Sequence, residues 1–179
     1  KMDFSLNHQI DGTLIKMVLN SVQDGDLSVI KQNAEKYNLD MNLLIEKENQ
    51  QNAFFYCALV KNDLDALNIC KYLVEIGVNA AHKDKHEQTC LYYTVREGKY
   101  ETSKYLIENC HLPINEKDIY GQNPIYYAAR EGHLNLCELL VEKGTNINLE
   151  DKYGQTCIFY AIRQGHYNIV EFLIKNKVN

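Results

Sequence analysis

The run Leu134-x-Leu136-Cys137-x-Leu139-Leu140 places its apolar side chains at helical spacing, and the positions between them are polar. Just upstream, Asn123 stands where a helix needs an N-cap. Pro124 follows at the first helical position, where a missing N–H is harmless. The short helix this opens runs to Gly132, and Gly144 closes the second one. Ahead of both, Asp118-Ile119-Tyr120-Gly121 has the chemistry of a turn, with glycine able to supply positive φ. The pattern predicts a turn followed by two antiparallel helices.

The pattern recurs. The stretch from Asp118 to His133 returns as Asp151 to His166, a period of 33 residues, with Tyr-Gly-Gln near the start of both and Gly-His at the end. The same frame fits Asp84 to Gly98, and the Asp-to-Gly spacing is fourteen residues in all three copies. A weaker copy begins at Glu48, with Ala53, Phe54, Phe55 and Tyr56 leading to Asn62 in the glycine position. The weakest lies near the N-terminus, around Ser21 to Asp26. These starts divide the chain into 11–47, 48–83, 84–117, 118–150 and 151–179. Extra residues are expected between the paired helices of the second unit, around Asp63 to Leu67, and at the loop tip of the third, around His111 to Pro113. Thr89 and Thr156 share the slot of Asn123, so all three are expected to lend a side-chain oxygen to orphan helix amides. A fixed period of this length marks a solenoid, in which each unit buries its apolar face only against its neighbours. The product is a ribbed surface suited to other macromolecules.

The frame Asp-x-x-Gly-x-Thr/Asn, followed by Ala128-Ala129-x-x-Gly132-His133 and the Leu139-Leu140 helix, resembles the ankyrin repeat family. The match is close from Asp84 to Asn179, looser from Glu48 to Lys83 and faint before that. Two slots depart from the family pattern. Its histidine is replaced by Tyr56, Tyr92, Tyr126 and Phe159, and its proline survives only at Pro124, with Phe54, Cys90 and Cys157 elsewhere. Aromatic packing is therefore expected in place of the hydrogen bonds that the histidine makes between turns. The resemblance implies an all-α fold, a solenoid of stacked helix-turn-helix units with turn or hairpin fingers, forming one domain over residues 1–179.

Composition narrows the chemistry. A net charge of −5 argues against non-specific binding to nucleic acid, which needs a basic surface. No run of eighteen apolar residues exists, so no membrane insertion is expected. The start Lys1-Met2-Asp3-Phe4 lacks the layout of a signal peptide. The six cysteines contain no Cys-x-x-Cys pair and fall in repeat slots, which predicts reduced core thiols and an intracellular, cytoplasmic or nuclear, location. His133 and His166 hold the Gly-His slot, while His8, His82, His86 and His111 show no metal spacing. The glycines stand singly at turns rather than in a phosphate-binding loop. No catalytic residue, metal or cofactor is expected. The final helix, Ile169 to Ile174, is markedly apolar and the chain stops in the loop after it, which predicts a piece of a longer protein.

In ankyrin arrays the concave face is built from the turn tips and the exposed end of the first helix. Carried over residue by residue, the resemblance implies Lys85, His86, Gln88, Arg96 and Glu97 in the third unit. The fourth contributes Ile119, Tyr120, Gln122, Arg130 and Glu131, and the fifth Lys152, Tyr153, Gln155, Arg163 and Gln164. Across the stack these form an arginine ladder (96, 130, 163), a glutamine ladder (88, 122, 155) and an aromatic ladder (86, 120, 153). Arg and Tyr are enriched at binding hot spots. The bland alternative pairs Arg96 with Glu131, or Arg130 with a neighbouring acid, as surface salt bridges of less than about 1 kcal/mol each. The pairs Tyr92-Tyr93, Tyr126-Tyr127 and Phe159-Tyr160 are expected in the core.

The expected function is a monomeric, non-catalytic interaction module that holds a partner peptide or loop on its concave face. An acidic or phosphorylated segment suits the arginine ladder. Two alternatives stand beside it. The array could serve as the docking arm of a larger enzyme, such as a lysine methyltransferase, palmitoyltransferase or kinase, or it could self-associate through its apolar end helix.

Overall fold

In a computed structural model, residues 12–177 are described. Among them ten α-helices form five antiparallel pairs: α1 (Gly12–Gln23) with α2 (Leu27–Lys36), α3 (Ala53–Cys57) with α4 (Asp63–Glu75), α5 (Cys90–Arg96) with α6 (Tyr100–Glu108), α7 (Pro124–Glu131) with α8 (Leu134–Glu142), and α9 (Cys157–Gln164) with α10 (Tyr167–Lys175). The first helices pack in the order α1, α3, α5, α7, α9, and the second helices form a parallel row in the order α2, α4, α6, α8, α10. No strand occurs among the described residues. The architecture is an all-α solenoid two helices deep.

The core runs the length of the stack. Val18, Leu19, Phe54, Ile69, Leu91, Val95, Ile125, Ala129, Leu136 and Leu140 are all inaccessible to solvent. The cysteines follow: Cys57, Cys70, Cys90, Cys137 and Cys157 are buried and Cys110 is half-buried, all as free thiols.

The joints on either side of the fourth unit share the same atoms. The imidazole Nε2 of His133 bonds the carbonyl of Arg96 at 2.9 Å, and that of His166 bonds the carbonyl of Arg130 at 3.0 Å. Each ring lies where a side chain on the preceding unit's glycine would project. A Cβ on Gly98 or Gly132 would stand 2.8 or 2.7 Å from the imidazole, and both glycines have positive φ. Fingers are joined by backbone bonds from Ile119 N to His86 O (3.1 Å) and from Lys152 N to Tyr120 O (3.0 Å).

Three expectations are corrected. Thr89, Asn123 and Thr156 occupy N-cap positions with extended backbone, but none makes a side-chain cap bond. Asn123 instead turns its amide towards Thr145 Oγ1 and Asn146 O in the following loop, at 3.4 and 3.3 Å. The cap is made in the second unit, where Asn52 Oδ1 accepts from Phe54 N at 3.1 Å. The extra residues at Asp63 to Leu67 are not a loop between helices. They lie in α4, which is 13 residues long against 9 in α6, and Asn62 caps it by accepting from Leu64 N. Finally, the tyrosines in the histidine slot bond as well as pack. Tyr92 donates to the carbonyl of Glu116 at 2.6 Å, and Tyr126 donates to the carbonyls of Leu149 and Gln155.

Candidate functional site

Each finger is organised by one carboxylate. Asp118 N donates to Gln122 O, Gly121 N donates to Asp118 O, and Asp118 Oδ1 accepts from Tyr120 N and Gln122 N, all within 2.9–3.0 Å. Asp84 and Asp151 repeat the arrangement. The glycine of the turn is needed for its positive φ at Gly121 and Gly154, yet Glu87 adopts the same conformation in the third unit at φ 60°. At the junction of the first and second units Glu46 takes this place, accepting from the amides of Glu48 and Asn49.

The second oxygen of each aspartate works beneath the finger. Asp118 Oδ2 accepts from Tyr127 Oη at 2.6 Å and from Gln88 Nε2, in the preceding unit, at 2.7 Å. Asp151 Oδ2 accepts likewise from Tyr160 Oη at 2.6 Å and from Gln122 Nε2 at 3.0 Å. Asp84 accepts from Tyr93 Oη in the same way at 2.6 Å. Gln88 and Gln122 are therefore buried framework, each about 4 % exposed.

Protonation follows from this network. Burial drives the Tyr93 and Tyr127 hydroxyls well above their ordinary value, and the aspartates that accept from them push the same way. Tyr160 rises to about 12 for the same two reasons. Burial also works to raise the carboxyl of Asp151, but bonds from Tyr160, Gln122 and two backbone amides outweigh it and leave the group below the ordinary range. The phenols stay protonated and the Asp151 carboxylate charged, so Tyr160 donates and Asp151 accepts in a fixed sense.

Above these rings lie the arginines. The guanidinium carbon of Arg96 sits 4.4 Å from the centroid of Tyr93, and that of Arg130 sits 4.4 Å from Tyr127. Nε of each donates to the glutamate that follows it, Glu97 at 3.2 Å and Glu131 at 3.3 Å. The alternative pair of Arg96 with Glu131 does not form, whereas Arg130 does pair with a neighbouring acid, Glu131. Arg163 has Gln164 where the others have glutamate, and no ion pair or ring contact holds it among the described residues.

His86, Gln88, Arg96, Tyr120, Gln122, Arg130 and Tyr153 line one concave cavity of about 410 Å³. Tyr93, Tyr127 and Tyr160 complete its lining. All three were expected in the core; Tyr127 is part of it, and Tyr93 and Tyr160 are half-buried against it. Their signal in the sequence is the constant nine-residue spacing from each finger aspartate: 84 to 93, 118 to 127, 151 to 160. Their partners in the doublets divide: Tyr92 and Tyr126 are buried, whereas Phe159 is 41 % exposed. The rings of His86 and Tyr120 stack across neighbouring fingers at 6.2 Å. Lys85, Glu97, Ile119, Glu131, Lys152, Arg163 and Gln164 are exposed and stand outside the cavity lining, as does half-buried Gln155.

Among the described residues no cluster of three or more His, Cys, Asp or Glu side chains could hold a metal ion. No helix among them is long and apolar enough to cross a membrane.

A search of curated proteins found no match to the chain. The family model described as ankyrin repeats (3 copies) matches residues 18–118 and again 109–179. Together the two matches take in all five helix pairs in whole or part, and the chain belongs to the ankyrin repeat family, whose arrays are generally protein–protein interaction modules.

Proposed function

We propose that this chain is a non-catalytic interaction module whose concave face, between the fingers and the first helices of the third to fifth units, holds an anionic peptide or loop of a partner protein. The observation that carries this reading is the matched pair of arginine clips, Arg96 on Tyr93 and Arg130 on Tyr127, lining the same cavity. A guanidinium has five N–H donors. Packing one face on a ring and engaging Nε reduces its side-chain freedom beforehand, so binding a carboxylate or phosphate orders less. The nearby aspartate oxygens are taken up by phenol, amide and backbone donors rather than by the guanidinium groups.

An array of immobilised acidic, phosphorylated and neutral peptides, probed with the protein and with its Arg96→Glu, Arg130→Glu, Arg163→Glu triple variant, tests the reading. Acidic or phosphorylated spots should bind the unaltered protein and lose the variant, with helicity by circular dichroism unchanged. Equal binding of both proteins would remove the groove assignment.

A further inference from the structure

Resting on that groove reading, we propose that the occupant is an acidic segment in the polyproline-II conformation, with a carboxylate at every third residue. The spacing follows from the joints. The clips at Arg96 and Arg130 are congruent, with equal ring distances and equal bonds to the next glutamate. The joints on either side of the fourth unit are congruent too, at 3.1 and 3.0 Å between fingers and at 2.9 and 3.0 Å from histidine to carbonyl. The two guanidinium groups are therefore displaced by one unit step.

The length of that step can be read in two ways. Helices packed side by side have axes about 8–10 Å apart. Each finger is two chain segments wide, and segments bonded across lie about 4.7–4.9 Å apart, which gives roughly 9.5 Å. A polyproline-II chain rises about 3.1 Å per residue with three residues per turn, so residues i and i+3 lie on one face about 9.3 Å apart. That matches the step in both distance and direction. An extended strand does not match, because same-face positions fall at roughly 6.7 or 13.5 Å and position i+3 points the opposite way.

An α-helix offers i and i+7 at about 10.5 Å, but a helix with its side chains is about 10–12 Å across. The i-to-i+7 distance also overshoots the roughly 9.5 Å step. The tyrosine walls of the cavity suit the proposed occupant, since proline-rich segments dock in aromatic-lined grooves.

The test uses fluorescein-labelled peptides, each with three glutamates and otherwise proline, at glutamate spacings of two, three and four. A fourth peptide is helical, with glutamates at i and i+7. Anisotropy titrations of the full chain at physiological salt should favour the spacing of three by tenfold or more. The preference should disappear in Arg130→Glu. Equal affinity across the three proline spacings, with binding still lost in Arg130→Glu, overturns the spacing and leaves the groove reading in place. Tightest binding of the helical peptide, or no binding by any proline peptide, overturns the proposal itself.

Discussion

Gln122 reaches out of its own finger to donate its amide to Asp151 in the next, at 3.0 Å, and the same nitrogen lies 2.9 Å from the Tyr160 hydroxyl. Two adjacent repeats are thus joined by a buried side-chain network as well as by apolar packing, and the network ends at Gln155. That residue holds the same slot, but its side chain has no hydrogen-bond partner among the described residues. A matched pair of substitutions follows. Gln122→Leu removes one of the two donors to Asp151 Oδ2, a bond to a charged group, and should lower stability by about 1.5–3 kcal/mol. Gln155→Leu should change it by less than about 0.5 kcal/mol. Equilibrium urea unfolding, compared between the two variants, measures the difference.

Glycine substitutions should likewise depend on the neighbour. Gly132 and Gly165 both have positive φ, at 87° and 78°. Gly165 has nothing near a notional Cβ, while at Gly132 that atom would meet the His166 ring at 2.7 Å. Gly165→Ala should cost only the left-handed backbone penalty, about 1–2 kcal/mol. Gly132→Ala should cost at least about 1 kcal/mol more, because the imidazole must leave its carbonyl partner. Unfolding midpoints of the two alanine variants provide the check.

The pH profile of stability should fall at both ends. Asp151 is held below its ordinary value, so its contribution is present above the unfolded value of 3.8 and is lost as pH drops through the lower folded one. Tyr160 is held up at about 12, so its contribution is present below about 10 and is lost as pH rises through 12. Tyr160→Phe removes the phenol and one donor to Asp151, and should flatten both limbs. Urea midpoints across the acid and alkaline ranges should record that flattening; an unchanged alkaline limb would show that Tyr160 does not contribute.

Thiol chemistry should separate one cysteine from five. Cys110 is half-buried and the rest are buried. Burial pushes the Cys110 thiol up to about 11, so at pH 8 only about one part in a thousand is thiolate. Ellman's reagent should titrate one slow thiol in the folded protein and all six in urea. Cys110→Ser should abolish the slow native reaction.

The repeat, its helix pairs and the alignment of the fingers were legible in the sequence, because 33-residue self-similarity is a direct imprint of stacking. What local chemistry could not reveal is how a side chain chooses between partners. Asn123 and Thr89 look like caps, yet the following loop takes up the Asn123 amide, and Thr89 Oγ1 is buried without a partner. Gln88 and Gln122 look like surface rungs, yet the next finger draws them inward. Arg96 and Arg130 found their ring and their glutamate within a single turn of their own helix. Contacts local in sequence were available all along; those that cross a joint needed the fold.

Because the joints before and after the fourth unit share these bonds, residues 118–150 should be removable as a cassette. Excising them would set Gln88 opposite Asp151 and seat the His166 ring on Gly98 below the Arg96 carbonyl, rebuilding a joint already present twice. The array would shorten by one rung without an unmatched seam. Over the third to fifth units its reach is a whole number of like steps, so it can be lengthened or trimmed there by duplicating or deleting a single stretch of coding sequence.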